Sequence, residues 1–341
     1  MRRLFWLSAL SIMLYLVAFG TLLDRPLSLG LLRLELQQKA ARLNELPSPK
    51  LVILAGSNGP YSHSCVVIGA MLAMPCENAG IAVGIGLDDI FARYEPLLHP
   101  GDVVYMPMEL QQYSTTKAQY WSSVDGAFLM RHDRGLLGAM PLPRVLGAIF
   151  CCTLTDGLEA LAEMPIARTN TINPAMLLAS EYNVDGDRID TNLDGANPAL
   201  LHMPPRATPT ATEIANGYGT ELIARFVARE KVRKVAVVGG LPVDFVTARV
   251  PQSTVATVTG IFIGNGGTFM VLPNQSRYPE QDFFNSEDHL AKPCQYLHSI
   301  AVAYRLGAIL HVPVHPPSAG MMEKAATCPS AAALEPSGFT R

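Results

Sequence analysis

The chain reads as an α/β protein of three layers, α/β/α, around a central, mostly parallel sheet, with an N-terminal transmembrane helix in front of it. Three observations predict this. Between residues 51 and 107, short apolar runs alternate with helix-length segments. Strand, helix, strand, helix, strand over so short a stretch implies parallel pairing with right-handed crossovers. The same alternation resumes after residue 213, and a charge-free run from Leu4 to Leu23 stands between Arg2-Arg3 and Asp24-Arg25.

Composition narrows the class. With 341 residues, 49% hydrophobic and 16% charged, the chain can bury a core and is not disordered. The net charge of −3 gives no basic surface for nucleic acid. No phosphate-loop signature, dinucleotide-binding glycine fingerprint or zinc-spaced Cys/His set occurs, so no cofactor or metal is expected.

Taken in order, residues 1–25 form a cytoplasmic tip and an anchor. Twenty apolar residues at about 1.5 Å each cover a bilayer core of about 30 Å, and the positive flank orients the remainder outward. A cleaved signal peptide is the competing reading, because Ala18-Phe19-Gly20 offers a small-x-small site. Both export the chain, and the anchor places it in the inner (cytoplasmic) membrane with its main domain in the periplasm or outside. Residues 26–49 have helical spacing and read as an amphipathic stalk. The α/β domain spans 50–315, with an insertion at about 114–215 that covers one end of the sheet. Within it, Asp185, Asp187, Asp190 and Asp194 lack the spacing of a calcium loop and read as solvated turns. Strands are expected at 51–55, 77–82, 102–107, 234–239, 268–273 and 309–314, and the tail from Pro316 reads as loosely ordered. The six cysteines (Cys65, Cys76, Cys151, Cys152, Cys294, Cys328) are open to disulfide pairing or to burial as thiols.

The run Leu51-Val52-Ile53-Leu54-Ala55-Gly56-Ser57-Asn58-Gly59 is a buried strand that stops abruptly and leaves one hydroxyl at its carboxyl end. Open α/β sheets place their chemistry there. Ser57 is therefore either a nucleophile or the cap of the following helix. A nucleophilic serine needs a base. His289, in Asp282-Phe283-Phe284-Asn285-Ser286-Glu287-Asp288-His289-Leu290, lies at the same edge of the predicted sheet. His63 and His298 are further candidates, and His311 and His315 read as surface residues.

Gly56-Ser57-Asn58, Asn78-Ala79-Gly80 and the late Asp288-His289-Leu290 together resemble the blocks of the SGNH (GDSL-like) hydrolase superfamily. The likeness is to its membrane-anchored branch associated with acylation of cell-surface polysaccharides, in which a Pro-x-Glu element similar to Pro107-Met108-Glu109 follows the third strand. It covers roughly 50–113 and 234–307. The resemblance implies Ser57 as nucleophile, His289 as general base, and the N–H groups of Ser57 and Gly80 as an oxyanion hole. Where the superfamily places an aspartate three or four residues before the histidine, this chain has Ser286 and Asn285. Asp288, Asp282 and Asn285 are then the candidates to orient the imidazole, with Glu109 in support. The implied activity is that of an exported serine esterase or O-acyltransferase acting on a cell-surface or secreted polysaccharide, with cellulose among the candidates, beside a membrane-embedded acyltransferase. A non-catalytic glycan-binding or scaffold subunit is the alternative.

Overall fold

The computed structural model describes residues 1–21, 28–121, 134–150, 153–169, 174–204 and 206–331. Strands are β1 (Leu51–Ile53), β2 (Cys76–Asn78), β3 (Val103–Met106), β4 (Ala236–Gly240), β5 (Asp244–Phe245), β6 (Thr268–Met270) and β7 (Arg277–Tyr278). The helices used below are α1 (Arg2–Thr21), α2 (Ser28–Glu45), α3 (Asn58–Ser62), α4 (Cys65–Leu72), α5 (Leu87–Tyr94), α6 (Tyr218–Val232), α7 (Gln252–Gly264), α8 (Lys292–Leu310) and α9 (Ala319–Ala326).

Five strands form an all-parallel sheet in the order β2-β1-β3-β4-β6, and β5 and β7 pair separately. Alternation along β1 explains the two cores. Leu51 and Ile53 point into a cluster with Ile68 of α4 and Val302 of α8, whereas Val52 and Leu54 point into one with Leu36 of α2 and Phe226 of α6. A strand covered on both faces needs apolar residues at every position, hence the unbroken run in the sequence. The α/β class with helices on both faces is as expected.

Four expectations need revision. The helix read as a stalk is packed on the sheet: Leu36 and Leu43 of α2 are buried, and its Lys39 donates to the Gly80 carbonyl. The strand expected at 309–314 is the end of α8 followed by coil, because the helix continues to Leu310 before His311 turns left-handed. The tail is ordered to residue 331. It forms α9, and Cys328 is disulfide-bonded to Cys294 while Ser330 donates to Asp282. A second disulfide joins Cys65 to Cys76 at the foot of β2. Cys151, Cys152 and the tail beyond 331 lie outside the described residues. The acidic loop is not uniformly solvated either. Asp187 is buried and accepts from the Cys65 N–H at 2.8 Å and the Ser64 hydroxyl at 2.9 Å, capping α4.

The N-terminal run is helical as α1, and Leu4, Phe5, Trp6 and Leu7 expose between 61% and 70% of their surfaces. Among the described residues no single helix is long and apolar enough to cross a membrane; a bent pair, Leu142–Ile149 with Leu154–Ile166, passes by length and composition alone. Residues 22–25, which close the run, lie outside the described residues.

Candidate active site

The strand order makes the crevice between β1 and β3 the point where connections diverge, and ligand sites in open sheets favour that point. Ser57 follows β1 and Glu109 follows β3, so the topology brings these two loops together. Ser57 stands at the N-cap position of α3, yet its side chain makes no capping hydrogen bond. The Glu109 carboxylate does that work. Its Oε2 accepts from the Gly56 N–H at 2.8 Å and its Oε1 from the Asn58 N–H at 3.0 Å. These are the two amides on either side of Ser57, so the hydroxyl is left unused while its backbone is clamped. Gly56 is required for this: a Cβ there would lie 2.4 Å from Glu109 Oε1. Asn58 completes the brace, donating to the Pro107 carbonyl at 2.9 Å and accepting from the Val243 N–H at 3.3 Å.

Gly80 closes the other side of the turn. A Cβ on it would meet the Gly56 carbonyl at 2.9 Å and Pro60 Cδ at 2.7 Å, so only glycine lets the end of β2 pass this close. Asn78 holds the approach by donating to the carbonyls of Gly59 and His63, each at 3.0 Å.

His289 reaches the same place from the far end of the sequence. Its ring stacks on Tyr61 of α3, with centroids 3.7 Å apart and planes inclined by 9°. The Ser62 hydroxyl donates to the Asp288 carbonyl at 2.8 Å and accepts from the Leu290 N–H at 3.2 Å, latching this loop to the helix that begins after Ser57. Asn285 Oδ1 lies 2.6 Å from His289 Nδ1. An amide oxygen can only accept, so Nδ1 carries the proton and Nε2 presents a lone pair. That Nε2 is buried and has no hydrogen-bond partner, with Asp288 Oδ1 3.7 Å away. Burial lowers the affinity of His289 for a proton, opposed by the Asp288 charge. No hydrogen bond joins the Ser57 hydroxyl to His289.

Burial, followed by the nearby Asp288 charge, pushes the Glu109 carboxyl up to about 7. Burial likewise raises Asp244 to about 6. Both line a cleft with Gln111, Arg206, Glu287 and Asp288. Arg206 pairs with Glu287 at 2.5 Å, so the end of the insertion touches the His289 loop. Arg188, also of the insertion, lies against α3, with its guanidinium 5.1 Å from the Tyr61 ring centroid.

Of the expected site residues, Ser57, Gly80 and Glu109 meet from three loops at the end of the sheet, and Asn285, Asp288 and His289 share one loop packed on α3. Asn285, not Asp288, holds the imidazole. His63 and His298 belong elsewhere: they bond to one another through their Nε2 atoms at 3.1 Å, fully buried behind α3. Arg188 was not anticipated, since an arginine in an acidic loop has no distinguishing pattern. Among the described residues the one cluster of three donors with metal-site spacing is Asp282, Cys294 and Cys328, and its cysteines are tied up in a disulfide.

No family model, curated protein or solved structure matches this chain.

Proposed function

We propose that the chain is an exported serine esterase or O-acyltransferase, similar to the SGNH hydrolases, acting on ester groups of a cell-surface or secreted polysaccharide. The observation that carries this is the state of His289: Nδ1–H held by Asn285, and Nε2 unprotonated, buried and unpartnered, on a loop latched to the helix behind Ser57. In the proposed reaction Ser57 Oγ attacks the ester carbonyl carbon while His289 Nε2 takes its proton. The N–H groups of Ser57 and Gly80 receive the developing oxyanion. The carbon–alkoxide bond then breaks and the proton passes from His289 to the departing oxygen. Water or a sugar hydroxyl attacks the acyl-serine, giving its proton to His289, and Ser57 is regenerated when that proton returns to Oγ.

The exposed apolar face of α1 supports a membrane anchor, and two disulfides suit an oxidising compartment. On this reading the main domain lies outside the cytoplasmic membrane and works beside a membrane-embedded acyltransferase. The alternative, a non-catalytic glycan-binding subunit, draws on the absence of a Ser57–His289 hydrogen bond and of a carboxylate on Nδ1. Full-length protein in detergent, offered p-nitrophenyl acetate and an O-acetylated polysaccharide, separates the two. The proposal expects release of p-nitrophenol or acetate that falls by about 10³-fold or more in Ser57→Ala. Equal rates in the two proteins, or glycan binding without turnover, contradict it.

A further inference from the structure

A second cavity, of about 290 Å³, opens at the β2 edge of the sheet between α2 and residues 178–186. Its wall includes Glu77. Cys76 points into the α4 core, so Glu77, the next residue of the strand, faces the opposite side, beneath α2. The Glu77 side chain is fully buried, and neither carboxyl oxygen has a hydrogen-bond partner. Buried polar groups are nearly always satisfied, and leaving one unpaired costs a large part of its desolvation energy.

The two cations nearby each already hold an acidic partner, and the Arg42 Nε is itself buried without an acceptor. Lys39 Nζ lies 2.7 Å from Glu35 and donates to the Gly80 carbonyl at 2.5 Å. Arg42 donates to Asp185 at 3.0 Å. Once these pairs are made, the acidic side chains left over around the cavity are the carboxyls of Glu77 and Glu45. Among the described residues Glu77 lies in no cluster of three carboxylate, histidine or cysteine donors, which disfavours a metal ion. An ammonium brings several N–H donors on one centre, enough for both oxygens.

We propose that this cavity is a binding site for a small organic ammonium, such as an alkylamine or an amino sugar, whose cationic nitrogen pairs with Glu77. It does not depend on Ser57 or on the esterase reading. Burial, partly offset by Lys39, pushes the Glu77 carboxyl up to about 8, which favours its protonated form at neutral pH. The other groups that face it are Arg42 on α2, Asp185 and Asp187 on the loop, and Tyr94 on α5.

Calorimetry on the full chain at pH 7, with methylammonium, 2-aminoethanol and glucosamine as probes and glucose and sodium ion as controls, tests this. At least one ammonium probe should bind while the controls do not. Repeating the titration in buffers of different ionisation heat should show about one proton released per amine bound, because Glu77 must ionise to form the pair. Glu77→Gln should weaken binding by about tenfold or more and abolish the proton release. Val184→Trp, which places bulk at the cavity wall and leaves Glu77 intact, should also block binding if Glu77→Gln proves too unstable to assay. Binding of glucose as tight as that of glucosamine, no binding of any ammonium probe, or binding indifferent to both variants overturns the proposal.

Discussion

Two histidine environments lie against α3, and they differ in how completely their nitrogens are used. Behind the helix, Tyr278 is 2.9 Å from His298 Nδ1, His298 Nε2 is 3.1 Å from His63 Nε2, and His63 Nδ1 is 3.2 Å from the Asn58 carbonyl. The direction of this chain follows from its end. A carbonyl only accepts, so His63 donates from Nδ1 and accepts at Nε2, His298 donates from Nε2, and the Tyr278 hydroxyl donates to its Nδ1. All four nitrogens are satisfied and both rings are neutral. In front of the helix, His289 has the same fixed tautomer but an Nε2 with nothing to accept. A closed circuit stabilises a fold, whereas an open one leaves a base for a reactant. On the proposed function, chemistry belongs to the His289 side of α3 and support to the His63–His298 side.

Substitutions can break this contrast, and the largest effect is expected at the open ring. His289→Ala should lower kcat/KM for ester hydrolysis by about 10³-fold with little change in Tm, since only the Tyr61 stacking and the hydrogen bond to the exposed Asn285 are lost. Next comes the clamp. Glu109→Ala leaves the Gly56 and Asn58 amides without their acceptor, and should cost about 1–3 kcal/mol of stability and roughly tenfold or more in kcat as Ser57 loses its fixed position. Denaturant unfolding and steady-state rates on one preparation check both parts.

At the closed circuit the pattern should invert. His298→Phe strands His63 Nε2 and the Tyr278 hydroxyl, lowering unfolding free energy by about 1–3 kcal/mol while kcat/KM stays within about threefold of the parent. Burial lowers His63 to about 4 and His298 well below its ordinary value. Such groups take up protons on unfolding, so their contribution is fully present above the unfolded value near 6.5 and is lost as pH falls from there towards 4. Tm should fall over that window, and fall less in a His63→Phe/His298→Phe double variant.

The smallest effect sharpens the open site. Asn285→Asp gives His289 a carboxylate on Nδ1, which favours the imidazolium. The base must be neutral to work, so activity rises with pH through the His289 pKa. The variant should move that midpoint upward by about one unit in a pH–rate profile.

Much of this was legible in the sequence for identifiable reasons. Burial on both faces writes a strand as an unbroken apolar run, so β1, β3 and β4 stand out, and the glycines around Ser57 mark where backbones touch. The stalk reading of α2 failed because amphipathicity does not reveal what covers the apolar side; here it is the sheet. Asp187 looked solvated because its neighbours are polar, but its partners Ser64 and Cys65 lie over 120 residues away in sequence. The Asn285 contact follows from its place four residues before His289, whereas the His63–His298 pair depends on side-chain orientations that spacing does not encode.

The central claim is that Ser57 is a nucleophile served by His289. Incubating full-length protein with a fluorophosphonate and mapping the adduct by peptide mass spectrometry tests it most directly. The account predicts one adduct, on the peptide containing Ser57, absent in Ser57→Ala and slowed by about 10³-fold in His289→Ala. A folded protein that forms no adduct, or forms one equally well in the absence of His289, contradicts it.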